Sequence, residues 1–233
     1  SLKNMSLTAE GLGKFINEWS NGEDLDFSQI GKNVVFSTEA KAVGLLNNLK
    51  TSAHLNSRAG GISIEARLKD ILSERKPIGI SGNIRTDSLD LGIILNNKIA
   101  GPATLKTGLT ASIGKSISVD MDSLLIEKMT ILGYEYSDIQ ARGRYDDLSM
   151  NGTIISKDPN LNFIFQGGYA TSEKSHNTVY KFNASIGHAD LNAINIDKRG
   201  KSIVQFRTNA NFTRTGKGNL LGRVDVGDIM LEN

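Results

Sequence analysis

Gly108 to Ser116 reads Gly-Leu-Thr-Ala-Ser-Ile-Gly-Lys-Ser, the residue types of a loop that cradles phosphate. Such a loop aims backbone N–H groups and a lysine at the ligand, and needs four residues between its first glycine and the Gly-Lys pair. Five intervene in this chain. The flanks are wrong as well, because alternating strand patterns lie on both sides where a helix must follow. Gly114-Lys115 therefore reads as a hairpin turn. The three histidines, His54, His176 and His188, stand far apart, and none has a second ligand at i+2 or i+4, whereas a zinc-type site needs three or four convergent ligands. His176 lies in a polar loop with Glu173 and Lys174, and His188 ends a strand beside Ala189-Asp190. The chain has no cysteine, which removes thiolate ligands, disulfides and thiol nucleophiles together. No serine occupies a Gly-x-Ser-x-Gly elbow. Asp120, Asp122 and Asp146-Asp147 supply carboxylates, but glycoside hydrolysis needs two of them facing each other across a cleft, and Asp146-Asp147 has the composition of a turn. The Asn-x-Ser/Thr sequences at Asn151, Asn183 and Asn211 fall inside strand patterns rather than loops. The expectation is a non-enzymatic chain with no catalytic residue, cofactor or metal site.

Charge narrows the partners further. With 27 basic and 25 acidic residues the net charge is +2, too little for a broad field that gathers nucleic acid. Basic pairs such as Arg142/Arg144 and Lys198/Arg199 lack the interleaved aromatics of a base-stacking surface. No apolar run approaches the roughly 20 residues that cross a bilayer as a helix. The chain opens on Ser1 with Met5 internal, so the expectation is a piece of something longer.

The elements behind these residues are strands. Ala103, Leu105, Thr107, Leu109, Ala111 and Ile113 alternate with Thr104, Lys106, Gly108, Thr110 and Ser112, and successive strand residues point to opposite faces. The same period of two runs through Ile78–Ile84, Ile117–Met121, Ile139–Tyr145, Leu148–Ile154, Leu161–Tyr169, Tyr180–Ile186, Val204–Phe212 and Leu220–Val226. Turn-forming clusters separate them at 73–77, 145–147, 157–160 and 215–219. The fold expected is mainly β: an antiparallel meander forming a curved, taco-like sheet or an elongated sandwich, with short helices. Residues 1–77 read as a less regular part of mixed strands and short helices, and 78–233 as the sheet body. In the first part Val34-Val35-Phe36 and Ile62–Leu68 look like strands. Leu12, Phe15, Ile16 and Trp19 have helical spacing behind a Thr8 cap, and Leu45, Leu46 and Leu49 suggest a further helical turn.

One repeat is visible. Asp90-Leu91-Gly92-Ile93-Ile94 and Asp190-Leu191-Asn192-Ala193-Ile194 share Asp-Leu-x-x-Ile, and each follows a strand with an asparagine at the matching place, Asn83 and Asn183. Both units, about 78–100 and 178–200, read as a strand running into a short helix whose apolar side tucks back onto the sheet. Asp is a favoured helix N-cap.

What remains for function is the apolar stripe: Leu105, Leu109, Ile113, Ile117, Val119, Met121, Ile154, Phe163, Phe165, Phe182 and Ile186. Closed between two sheets, it is the core of a structural or adhesive sandwich. Left open on a curved sheet, it is a groove for acyl chains. Periodicity is the same in both.

Ile80-Ser-Gly-Asn-Ile-Arg-Thr-Asp-Ser-Leu-Asp-Leu-Gly-Ile-Ile-Leu95, Leu148-Ser-Met-Asn-Gly-Thr-Ile-Ile-Ser-Lys-Asp-Pro-Asn-Leu-Asn-Phe163, Phe182-Asn-Ala-Ser-Ile-Gly-His-Ala-Asp-Leu-Asn192 and the Gly-Tyr-x-Tyr at Gly133–Tyr136 together resemble the TamB family. These are the translocation and assembly module proteins of Gram-negative envelopes, related to AsmA-like proteins, and the likeness is to their Bacteroidetes members over roughly 78–233. The resemblance implies an inner-membrane-anchored parent with a periplasmic body of stacked β units. Its work would be outer-membrane biogenesis: moving phospholipid or shielding nascent outer-membrane strands, with an outer-membrane assembly protein as partner of other parts of the parent. It carries over no catalytic residue.

Overall fold

The structure, a computed structural model, describes residues 2–8, 34–73 and 75–232. They form a single antiparallel sheet. Its strands are β1 (Leu2–Thr8), β2 (Val35–Leu45), β3 (Asn48–Ser57), β4 (Gly60–Lys69), β5 (Ile78–Asp87), the two-residue β6 (Leu89–Asp90), β7 (Ala100–Ile113), β8 (Ile117–Ile131), β9 (Tyr134–Asp146), β10 (Ser149–Asp158), β11 (Leu161–Thr171), β12 (Thr178–Asp190), β13 (Ile203–Arg214) and β14 (Leu220–Glu232); helix α1 spans Leu91–Ile94. The order is β1-β2-β3-β4-β5-β7 and onward to β14, with β6 pairing β7 at the side. Thirteen strands thus make an open meander, and no second sheet lies over it among the described residues. Of the two architectures the alternation allowed, the chain adopts the curved single layer and not the sandwich.

The register carries one face unbroken across the sheet. Leu55 stands opposite Ile62, Ile64 opposite Ile84, Leu109 opposite Met121, Ile126 opposite Ile139, Ile154 opposite Phe165, and Phe163 opposite Ile186, which faces Phe206 in turn. The alternate residues make the other face, where Glu65 meets Asn83, Ser81 meets Thr110, Arg142 meets Thr153 and Gln166 meets Asn183. A slip of one residue anywhere would exchange the faces, so the pattern pins the register. Irregularities punctuate it between Gly108 and Leu109, between Met121 and Leu124, and between Ile186 and Ala189. Such bulges bend a strand and add to its twist, which curves the sheet. Two glycines show how closely the rungs interlock. A Cβ at Gly167 would lie 2.4 Å from the Phe182 Cβ, and one at Gly222 would lie 2.3 Å from the Phe212 ring. Each glycine leaves the hollow that its neighbour's ring covers.

Three expectations need correcting. Leu45, Leu46 and Leu49 are not a helical turn: Leu46-Asn47 turn between β2 and β3, and Gly44 at φ +131° sets up the reversal. The part expected to be less regular contributes the ordinary strands β2, β3 and β4, and β4 pairs with β5 from Gly61↔Asp87 to Lys69↔Gly79, so one sheet spans both sides of the 77/78 boundary. Leu7 and Thr8 belong to β1 rather than to a capped helix; the rest of that expected helix lies outside the described residues.

Candidate functional site

All the turns after β2, β4, β7, β9, β11 and β13 fall at one rim of the sheet, and those after β3, β8 and β10 at the other. This second rim carries the two Asp-Leu-x-x-Ile units. Asp90 caps α1, its Oδ1 accepting from Ile93 N at 3.0 Å, while its own N–H donates to Ala59 O in the β3–β4 turn. Asp190 does the same work. Its Oδ1 accepts from Asn192 N and Ala193 N at 3.1 and 3.0 Å, and its N–H donates to Asn160 O in the β10–β11 turn at 2.9 Å. The second unit is a tight turn over 191–196 and not the expected helix. Asn195 at φ +63° ends it after one hydrogen-bonded turn from Ile194 N to Asp190 O.

Both units tuck onto the apolar face. Ile94 packs against the buried cluster of Val34, Phe36, Leu55 and Ala59. Ile194, 1% exposed, seals Tyr136 and Ile139, with Ile126, Leu161 and Leu191 around them. Below the second cap lies Asp158, itself 1% exposed. Its oxygens accept from Tyr134 Oη at 2.8 Å, Ser137 N and Asn160 N at 2.9 Å, and Leu161 N at 3.2 Å. Burial pushes the phenols of Tyr134 and Tyr136 up, and the bond to Asp158 adds to the effect on Tyr134. Alternation alone reads Asp158-Pro159 only as a turn.

Asp197 closes the second cap from the solvent side. Arg199 donates to it from the guanidinium and from the backbone, which holds its carboxyl down at about 2 from 3.8. A lowered carboxyl stabilises the fold at every pH above its unfolded value and loses that contribution as pH falls through its folded one. The contribution is therefore complete above pH 3.8 and disappears toward pH 2. NMR titration is expected to place the Asp197 midpoint near 2, and Arg199→Gln to return it toward 3.8. A midpoint at the ordinary value in the native chain would contradict this arrangement.

Away from the caps the apolar face is open. Leu105, Leu109, Ile113, Ile117, Val119, Met121, Phe163, Phe165, Phe182 and Ile186 are half-buried and Ile154 is exposed; none is buried. The register places every one of them on the same side. The aromatic rungs run across three strands: Phe165 to Phe182 at 6.1 Å, Phe182 to Phe212 at 5.8 Å, and Tyr169 to Tyr180 at 6.0 Å between ring centres. Phe163 and Ile186, paired across β11 and β12, lie toward the capped rim. Ile113 and Ile117 flank the β7–β8 turn at the opposite rim.

The polar face carries features that the alternation did not single out. A groove of about 870 Å³ is lined by Glu65, Arg85, Lys106, Asp122, Gln140 and Arg142 among others, and a second of about 1010 Å³ by Asp120, Arg144, Asn151, Gln166 and Lys181. Of the apolar stripe only Met121 touches either. The signal was present in the basic and acidic residues at alternate positions of β5, β7, β8 and β9, which resemble any solvated back of a sheet. The residues tested for chemistry stay dispersed. His54 Nδ1 lies 3.1 Å from Ser63 Oγ across β3–β4, Asp147 accepts from Ile117 N at 3.0 Å, and Asp146 accepts from Leu148 N and Ser149 Oγ. Among the described residues no three His, Asp or Glu side chains gather as metal ligands, and no helix is long and apolar enough to cross a membrane. Set against models of protein families, curated proteins and solved structures, the chain matches none.

Proposed function

We propose that this chain is a non-enzymatic segment of an envelope-biogenesis protein of TamB type, periplasmic within an inner-membrane-anchored parent, and that it shields lipid acyl chains along its apolar face. Nascent outer-membrane strands are the other cargo of that chemistry. One observation carries the reading: an apolar face that is continuous in register over the whole sheet and half-exposed between the caps and the far rim. Exposed apolar surface of this extent on a folded chain is a binding surface. Burying one CH₂ group contributes about 0.8 kcal/mol, so an acyl chain with about ten of them against the stripe gains about 8 kcal/mol before the cost of ordering it. The faces of β7 and β8, with Leu105, Leu109, Ile117, Val119 and Met121 and no charge among them, suit a chain that slides rather than one held in a fitted pocket. The sequence resemblance supplies the compartment and the parent.

The test is purification without detergent followed by lipid mass spectrometry. Co-purifying phospholipid or fatty acid is expected. Leu109→Asp is expected to lower the lipid recovered at least tenfold while leaving the far-ultraviolet circular dichroism unchanged, because its site is half-open and the charge keeps contact with water. Native protein free of lipid, or full retention by the variant, would sink the reading.

A further inference from the structure

The geometry points to the polar face of the sheet as a binding site for an acidic oligosaccharide, a hydroxyl-rich chain with isolated negative charges that lies across the strands. The two grooves of that face, about 870 and 1010 Å³, form one continuous channel, because Asp122, Arg142 and Thr153 line both. The walls come from β4, β5 and β7–β12, all of them paired with a neighbour on either side. The channel is therefore built in the interior of the sheet. A bulge lies at its middle. Leu109 stands opposite Met121 and Gly108 opposite Ser123, which leaves Asp122 without a partner on β7; toward β9, Asp122 and Ser123 together face Arg142. Such a bulge re-aims the side chains it carries. Two glycines keep the floor clear. A Cβ at Gly108 would lie 3.2 Å from Asn83 Oδ1 and 3.7 Å from Ser123 Oγ, and Gly168 stands between Asn151 and Lys181. Glycine inside a strand often marks the close approach of a ligand. Gly108 on β7 and Gly168 on β11 are four strands apart, about 19 Å at about 4.8 Å per strand, so the occupant is an extended chain.

Side-chain chemistry selects the ligand. Arg85, Arg142, Arg144 and Lys181 line the channel, and none of them forms an ion pair with a carboxylate of the described residues. Arg144 stands directly opposite Asp120 and still makes no such pair. Their donors are left for the carboxylates or phosphates of a ligand. Glu65, Asp120 and Asp122 sit among them. A continuous polyanion such as nucleic acid meets these three as like charges. It also finds no ring for its bases, since Tyr169, at the edge of the channel, packs its ring against Tyr180 on the apolar face. A sugar hydroxyl donates to a carboxylate and accepts from an amide or a guanidinium, so a polyhydroxyl chain uses both signs of charge. Further partners for its hydroxyls alternate with the cations along the rungs Arg142–Thr153–Gln166 and Arg144–Asn151–Gly168–Lys181. An extended peptide is disfavoured, because its backbone needs an unpaired strand edge and the middle of this sheet has none.

This inference concerns the back of the sheet and stands whether or not the apolar face carries lipid. The test is calorimetric titration of the whole chain with oligogalacturonate, whose charges are carboxylates, and with a phosphorylated oligomannoside. A chito-oligosaccharide of equal length and oligothymidylate serve as the neutral and the polyanionic comparisons. At least one of the two acidic sugars is expected to bind roughly tenfold or more tightly than either comparison. Arg142→Gln, in the part common to both grooves, is expected to weaken that binding roughly tenfold, and Arg144→Gln combined with Lys181→Gln to do the same. Lys115→Gln, at the exposed β7–β8 turn outside the channel, is expected to leave it unchanged. Circular dichroism of each variant checks that the sheet has formed. Failure of both acidic sugars to bind, equal or tighter binding of either comparison, or full affinity in Arg142→Gln overturns the proposal.

Discussion

Replacing Asp158 by alanine is expected to lower stability by about 4 kcal/mol and the melting temperature by about 8–16 °C, at 2–4 °C per kcal/mol for a chain of this size. The carboxylate is 1% exposed and receives four hydrogen bonds of 3.2 Å or less, three from backbone N–H groups and one from the Tyr134 phenol. Bonds to a charged acceptor contribute about 1.5–3 kcal/mol each, and buried donors left without a partner carry their own desolvation cost. The sum is reduced because water enters the cavity left by truncation and serves some of those donors. Tyr134→Phe removes one bond and is expected to cost only about 1 kcal/mol. Asp146→Ala, at the turn between β9 and β10, is expected to fall below that because its carboxylate lies near solvent. Urea denaturation of the three variants orders them, and equal effects at Asp158 and Asp146 would contradict the assignment of Asp158 as the anchor of the β10–β11 hairpin.

The second large effect belongs to the cap above it. Ile194→Ala is expected to cost about 3 kcal/mol, the middle of the range for truncating a buried isoleucine. Ile194 is 1% exposed and is the residue that the 191–196 turn inserts over Tyr136 and Ile139. Its truncation leaves a cavity that the sheet cannot collapse into, because the tyrosine ring beneath is fixed by edge contact with Tyr134 at 4.7 Å. Ile196, two residues on and 58% exposed, is the control: its change to alanine is expected to move the melting temperature by less than about 2 °C. Proton exchange should also rise locally in the β8–β9 hairpin of the Ile194 variant before the rest of the sheet responds.

These two residues also mark how far the sequence could be read. The alternation at Ala103–Ile113, Leu161–Tyr169 and Val204–Phe212 is strict enough to name strands and faces, because a one-residue slip would put every apolar side chain on the wrong side. The Asp-Leu-x-x-Ile pairs announced both caps, since an aspartate's short acceptor and an isoleucine four residues on are what a tuck-back turn needs. Whether Leu109 and Met121 lie under a second sheet was not legible, because a covered face and an open one share the same period. The helix expected at Leu45–Leu49 failed because apolar spacing over so few residues cannot outweigh a two-residue turn with a left-handed glycine before it. Asp158 hid inside an ordinary Asp-Pro turn; burial, which sequence does not record, is what sets it apart from Asp146.

Strand order has a kinetic consequence. From β7 to β14 every strand pairs with its neighbour in sequence, so the chain closes short loops and needs little of the long-range search that slows most β proteins. A ladder of that kind tends to form and dissolve one hairpin at a time, like a repeat array. The bonds that reach farther are those of the caps: Asn195 Nδ2 to Leu132 O spans 63 residues, and Ile194 joins β9 across the intervening hairpins. The caps therefore set cooperativity more than topology. With them in place β8 through β12 should melt as one unit, and without them these strands should come apart one hairpin at a time.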